Sequence, residues 1–143
     1  MKSKTFVIGF FCVVLALLAG SIYLAMTTDR ADKAMVAVAA PDNKYKAVRL
    51  TVSNDVPVPF CVDTIAIFLT VYPDSFVASN SGYQVYNGPC AAPGRRDALP
   101  KIEWLANNKV QITYSPEPGA DKPPRLKDHD MSLFVDVSYV KVE

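Results

Sequence analysis

The feature that most constrains this chain is the stretch from Thr5 to Met26, 22 residues without a charge: T-F-V-I-G-F-F-C-V-V-L-A-L-L-A-G-S-I-Y-L-A-M. Wound as an α-helix it is about 33 Å long, close to the hydrocarbon thickness of a bilayer. A helix packed on a small soluble core shows a polar face, because one side of it meets water. This run has none. Lys2 and Lys4 precede it, whereas the far flank mixes Asp29 and Asp32 with Arg30 and Lys33. The positive-inside bias therefore predicts a single-pass signal-anchor over residues 5–26, with residues 1–4 as a cytoplasmic tip and everything past Met26 exported. The competing expectation is a cleaved signal peptide. Its best small-residue site, Ala37-Val38-Ala39, lies well beyond the apolar run and across charged residues, which favours retention. A lipoprotein does not fit, since Leu18-Ala19-Gly20 is followed by Ser21 where a lipidated Cys would stand.

Residues 27–40 read as a tether of small and mixed-charge residues, and all 11 prolines follow, from Pro41 to Pro124. That density forbids long helices and divides the chain into short strands and turns. From Lys44 onward the hydrophobic period is two. Val48, Leu50 and Val52 alternate with Arg49, Thr51 and Ser53, the pattern of a half-buried strand. Phe60 to Tyr72 is β-branched and aromatic on both faces, as a central strand covered on each side would be. Phe76 to Ser79 and Tyr83 to Tyr86 read as a hairpin around Asn80-Ser81-Gly82. Ile102 to Leu105 and Val110 to Tyr114 read as a second hairpin around Asn107-Asn108. A last strand, Leu133 to Val142, shifts phase near Ser138 or Tyr139, which predicts a bulge there. The expectation is an all-β exported domain over residues 41–143, a small antiparallel sandwich or bent sheet, preceded by one transmembrane helix.

Charge and chemistry narrow the function classes. A formal net charge of +1 argues against a nucleic-acid binder, which needs a basic excess to neutralise phosphates. The single His, His129, has no Ser or Cys elbow to serve, so no catalytic residue, metal ligand set or cofactor site is assigned. Asp128-His129-Asp130 brings three donors together in sequence, but neighbours in an extended chain point in alternate directions and do not converge on one ion. Asp63 is the one carboxylate expected to be semi-buried, more suited to satisfying a polar neighbour than to catalysis. Two irregular loops, around Asn87 to Pro100 and Ser115 to Asp130, carry Arg95, Arg96, Lys122 and Arg125 as candidates for binding an acidic partner surface. In the anchor, Cys12, Ala16 and Gly20 recur every fourth residue, a small-residue stripe that lets a second helix approach.

With Cys12 inside the apolar run, Cys61 and Cys90 are the only pair left to the exported domain. An oxidising compartment would couple them. Closing a separation of 29 residues stabilises by about 3 to 4 kcal/mol on the chain-entropy argument, and two buried free thiols are the alternative.

Two segments carry a resemblance. Ala40-Pro41-Asp42-Asn43-Lys44-Tyr45-Lys46-Ala47-Val48 resembles the S-P-D-G-K-Y-x-A-V opening of β-propeller blades, with Asn43 where Gly is usual. Ile102-Glu103-Trp104-Leu105-Ala106-Asn107-Asn108-Lys109-Val110 is similar to their Trp-containing hairpin. The same two elements resemble a group of small bacterial envelope proteins with a hydrophobic N-terminus. That resemblance implies a bacterial exported β domain and no activity; with the signal-anchor expected over residues 5–26, the expected location is the bacterial inner membrane with the C-terminal domain in the periplasm. The expected function is a membrane-anchored binding module: an accessory subunit of an envelope complex, or an inhibitor of the immunity-protein type. The alternatives are an envelope enzyme or a ligand or metal sensor. The expected partners are the lipid bilayer, through residues 5–26, and a protein of the envelope, with homo-oligomers left open.

Overall fold

The computed structural model describes residues 14–20, 31–54, 60–90, 99–115 and 123–142. The chain divides into two compact units, residues 1–31 and residues 32–143. In the first, residues 14–20 are helical and exposed. Among the described residues no helix is long and apolar enough to cross a membrane. Most of the run expected as an anchor lies outside them, Cys12 included; Ala16 and Gly20 fall one helical turn apart on one face.

The second unit is all-β and begins earlier than the sequence suggests. Residues 32–39, expected as part of the tether, form a strand, β1 (Asp32–Ala39), paired along its whole length with β2 (Tyr45–Asn54). The turn between them explains the unusual Asn43. Its φ is 56°, a left-handed conformation that Asn tolerates, while Asp42 Oδ1 accepts the Lys44 N–H at 3.0 Å. β3 (Phe60–Leu69) follows antiparallel to β2, then β4 (Gln84–Pro89) antiparallel to β3. The short β7 (Arg125–Leu126) completes a five-stranded sheet in the order β1-β2-β3-β4-β7. A second sheet holds β5 (Lys101–Ala106), β6 (Lys109–Tyr114) and β8 (Asp136–Lys141), in the order β5-β6-β8.

The β5–β6 hairpin has the expected facing pairs, Ile102 with Ile112 and Trp104 with Val110. An entirely antiparallel arrangement does not hold: β6 and β8 are parallel. Parallel neighbours need a long connection, and the chain between them supplies one by visiting the first sheet as β7 before returning.

Three other expectations give way. Phe76–Ser79 is one helical turn and Ser81–Tyr83 a 3-10 turn, so the first proposed hairpin is absent. F-V-A-S is too short for its apolar residues to distinguish a strand from a turn of helix. The last strand starts at Asp136, and it needs no bulge. Val135, Val137 and Tyr139 all face the core, while Val140 and Val142, which suggested the phase shift, are exposed.

The two sheets share one core. Tyr45, Ala47, Ile65, Ile67, Val85 and Tyr86 of the larger sheet meet Val110, Ile112, Val135 and Val137 of the smaller. On the other face of the larger sheet, Val48, Leu50, Ala66 and Phe68 are capped by Val77 from the helical turn. Phe76 extends that cap, stacking on Tyr72 and meeting Phe68 and Tyr83 edge-on. β2, expected as a half-buried strand, is instead covered on both sides like β3, because the smaller sheet packs on the face of Ala47 and Arg49 while Val77 caps the face of Val48 and Leu50.

Candidate functional site

Two arrangements of polar side chains stand out in the β unit. The first is inside the core. Register places Thr51 opposite Asp63, and Asp63 opposite Gly88. Thr51 donates its hydroxyl to Asp63 Oδ1 at 2.5 Å, and Arg49, two residues back on the same face, donates to the Pro100 carbonyl at 2.9 Å. Arg49 and Asp63 are buried at 8% and 2% exposure, deeper than the semi-buried state expected for Asp63. Burial raises the Asp63 carboxyl above its usual 3.8, against the Thr51 hydrogen bond and the Arg49 charge, which both lower it. Tyr86 is pushed up to about 12 by burial and by the nearby charge of Asp63.

This cluster bridges the layers. Arg49 ties β2 to Pro100, the residue before β5, and the rings of Tyr86, Tyr114 and Tyr139 run from β4 through β6 to β8. The Tyr139 hydroxyl then returns to the first sheet, 2.7 Å from the Val85 carbonyl and 2.8 Å from that of Lys127. No buried side-chain nitrogen or oxygen among the described residues lacks a hydrogen-bond partner. Buried groups whose hydrogen bonds are satisfied make a polar brace between sheets.

The second arrangement is at the surface, in the loop leading into β8. Asp130 is 3% exposed and its carboxylate is saturated. Oδ1 accepts the N–H groups of Phe134 at 3.0 Å and Val135 at 2.9 Å, while Oδ2 accepts the Ser132 N–H at 3.1 Å and the Ser132 hydroxyl. Asp130 and Val135 also bond through their backbones, and Leu133 holds a φ of 61°. The consequence is a fixed loop whose apolar side chains point outward. Met131, Leu133 and Phe134 are 61%, 75% and 69% exposed. Gly82 leaves room for Met131, whose sulfur would lie 3.0 Å from a Cβ added there. The loop thus sits beside the turn that enters β4 at Gln84, at the end of the larger sheet opposite Asp32.

The residues named from sequence are placed as follows. Cys61 and Cys90 are brought together as a disulfide, with Cα atoms 5.3 Å apart, at the start of β3 and just past β4. Arg125 is exposed on β7, opposite Asn87. Arg95, Arg96 and Lys122 lie outside the described residues. Asp128, His129 and Asp130 diverge: Asp130 turns inward, and His129 Nδ1 pairs with Asp136 Oδ1 at 3.1 Å in solvent. Among the described residues no group of His, Cys, Asp and Glu is arranged to hold a metal ion. The Asp130 loop was missed from sequence, where Asp130 read as one acidic residue of a solvated loop. The available signal was D-M-S-L-F itself, an Asp able to hydrogen-bond its own following backbone, with large apolar residues crowded behind it.

No known protein family, curated protein or solved structure matches this chain.

Proposed function

We propose that the chain is a membrane-anchored extracytoplasmic module that binds another protein, as an accessory subunit of an envelope complex or as an inhibitor of the immunity type. Three sequence features support the anchor and export: the charge-free run after Lys2 and Lys4, the mixed-charge flank beyond it, and a domain stapled through Cys61 and Cys90. The resemblance to small bacterial envelope proteins supports an exported bacterial β domain, and with the anchor it gives an inner-membrane location with the β unit in the periplasm.

The observation that carries the binding reading is the Asp130 loop. Large apolar side chains on a loop cost solubility when left in water, and here a buried carboxylate with four hydrogen bonds holds them out. A loop already fixed in shape loses little entropy on capture, so its apolar contact converts more fully into affinity. Arg125 and Lys127, exposed just before the loop, supply the cationic rim.

The test uses full-length protein solubilised from its native envelope together with whatever chain accompanies it in fixed stoichiometry. Leu133→Asp combined with Phe134→Ser should reduce that association at least about tenfold, as loss of apolar anchors does, with Cys61 and Cys90 still linked. Association unchanged by the double substitution would remove the loop from the interface. Absence of any stoichiometric companion would remove the binding reading itself.

A further inference from the structure

Sheet edges are where a β protein is open to other chains, and the four edges of this unit are protected unequally. β7 is two residues long and enters behind Pro123 and Pro124. β5 carries Lys101 and Glu103, and β8 is bounded by Asp136 and Lys141. These are the ordinary devices that discourage edge pairing: shortness, proline and charge. β1 has few of them. It is eight residues long, D-K-A-M-V-A-V-A, with no charge after Lys33, no proline, and an unbroken register against β2.

The outer side of β1 is also chemically open. Ala40 donates its N–H to the Tyr45 carbonyl, which sets the phase of the ladder. Even-numbered residues of β1 exchange hydrogen bonds with β2, so Lys33, Met35, Ala37 and Ala39 turn their backbone groups outward. The Trp104 indole N–H reaches β1 at the Val38 carbonyl, a residue of the inward series, and among the described residues no hydrogen bond is made to the outward series. No strand lies beyond β1 among the described residues. Both faces are exposed as well, Met35 by 48% on one and Val36 by 38% on the other. A strand laid alongside would extend both apolar layers of the sheet.

We propose that this edge receives a second copy of the same chain, β1 against β1 in antiparallel order, joining two five-stranded sheets into one. The strand is complementary to itself. A two-fold axis through Val36 pairs Lys33 with Ala39 and Met35 with Ala37, so every outward residue of one copy meets an outward residue of the other. The charges agree with this register, because Asp32 and Lys33 lie at one end only and the rotation sets them beside alanine instead of beside their own copies. Of the registers that match outward groups, this one and the one centred on Met35 overlap equally long stretches of strand, but only this one pairs all four outward residues, Lys33, Met35, Ala37 and Ala39. The inference does not depend on the anchor or on the Asp130 loop, which lies at the other end of the sheet from Asp32.

The register makes a positional prediction. Val36 faces its own copy across the axis in a non-hydrogen-bonded pair, where Cα atoms approach to about 4.5 Å, within disulfide range. Met35 is displaced from its copy by two residues. In full-length protein carrying Cys12→Ala, oxidation of Val36→Cys should give covalent dimer in several-fold higher yield than Met35→Cys. Independently, light scattering of the purified full-length protein in detergent should give the mass of two chains, falling to one in the Met35→Lys, Ala37→Lys variant. Those lysines project from an exposed face and leave the inward series bonded to β2, and an intact Cys61–Cys90 bond checks that the unit still folds. A monomeric wild-type protein overturns the proposal. So does a dimer that persists with both lysines, or one that Ala16→Leu with Gly20→Leu separates while the lysines do not, since association then runs through the N-terminal helix.

Discussion

The hydroxyl of Tyr86 lies against Gly88 of its own strand. A Cβ on Gly88 would come within 2.8 Å of that oxygen and within 2.8 Å of Pro124, so glycine at 88 is what allows the ring to lie over the strand next to Asp63. Burial there has a pH signature. Tyr86 and Tyr139 are both pushed up to about 12, so the folded protein holds these protons more tightly than the unfolded chain, where tyrosine titrates near 10. Their contribution to stability is complete below about pH 10 and is lost as pH rises through 12. Two pH units on Tyr86, which is 2% exposed, correspond to about 3 kcal/mol. Chemical unfolding between pH 9 and 12 should therefore show a steep loss, and Tyr86→Phe should flatten it by roughly half, since Tyr139 keeps its share. An unchanged slope would mean that Tyr86 ionises as freely in the folded state as in the unfolded one. Asp63 acts with the same sign at acid pH: its raised carboxyl favours the folded state below its usual 3.8 and loses that advantage as pH rises through the folded value.

At the scale of elements, the parts legible in the sequence are those where one physical rule acts alone. β2, β3 and the β5–β6 hairpin follow from period two, from apolar residues on both faces, and from Asn107-Asn108 between paired apolar runs. β1 escaped the same reading because an edge strand with both faces in water need not alternate, and M-V-A-V-A does not. β8 was misphased because Tyr139 turns inward through its hydroxyl contacts, while the valines at 140 and 142 face out. The Asp130 loop escaped because its bonds are to its own backbone, so the order that holds Leu133 and Phe134 outward leaves no periodic trace. That order can be measured. Asp130→Ala strands the buried Val135 N–H and the part-buried N–H groups of Ser132 and Phe134, and should cost about 2 kcal/mol of stability, with amide exchange at Phe134 and Val135 accelerating most. Asp130→Asn keeps an acceptor oxygen and should cost less. Equal exchange in wild type and Asp130→Ala would show that the loop is held by something other than this carboxylate.

At the scale of the whole molecule, an apolar N-terminal run is joined to a β unit that begins at Asp32, with only five residues between Met26 and Asp32. The unit is braced between its layers by Arg49, Asp63 and the tyrosines, and stapled through Cys61 and Cys90. It presents its apolar loop at the opposite end of the sheet from the strand terminus where the chain enters. Everything proposed for that loop requires the unit to stand outside the cytoplasm while the chain stays in the membrane. The direct measurement is a full-length fusion carrying, after Glu143, an enzyme that is active only when exported, assayed in cells and then followed through an alkaline carbonate wash of the membranes. The account predicts an active fusion that remains in the washed membrane pellet with Cys61 and Cys90 linked. An inactive fusion, or an active one released as a soluble fragment beginning near Ala40, would contradict it.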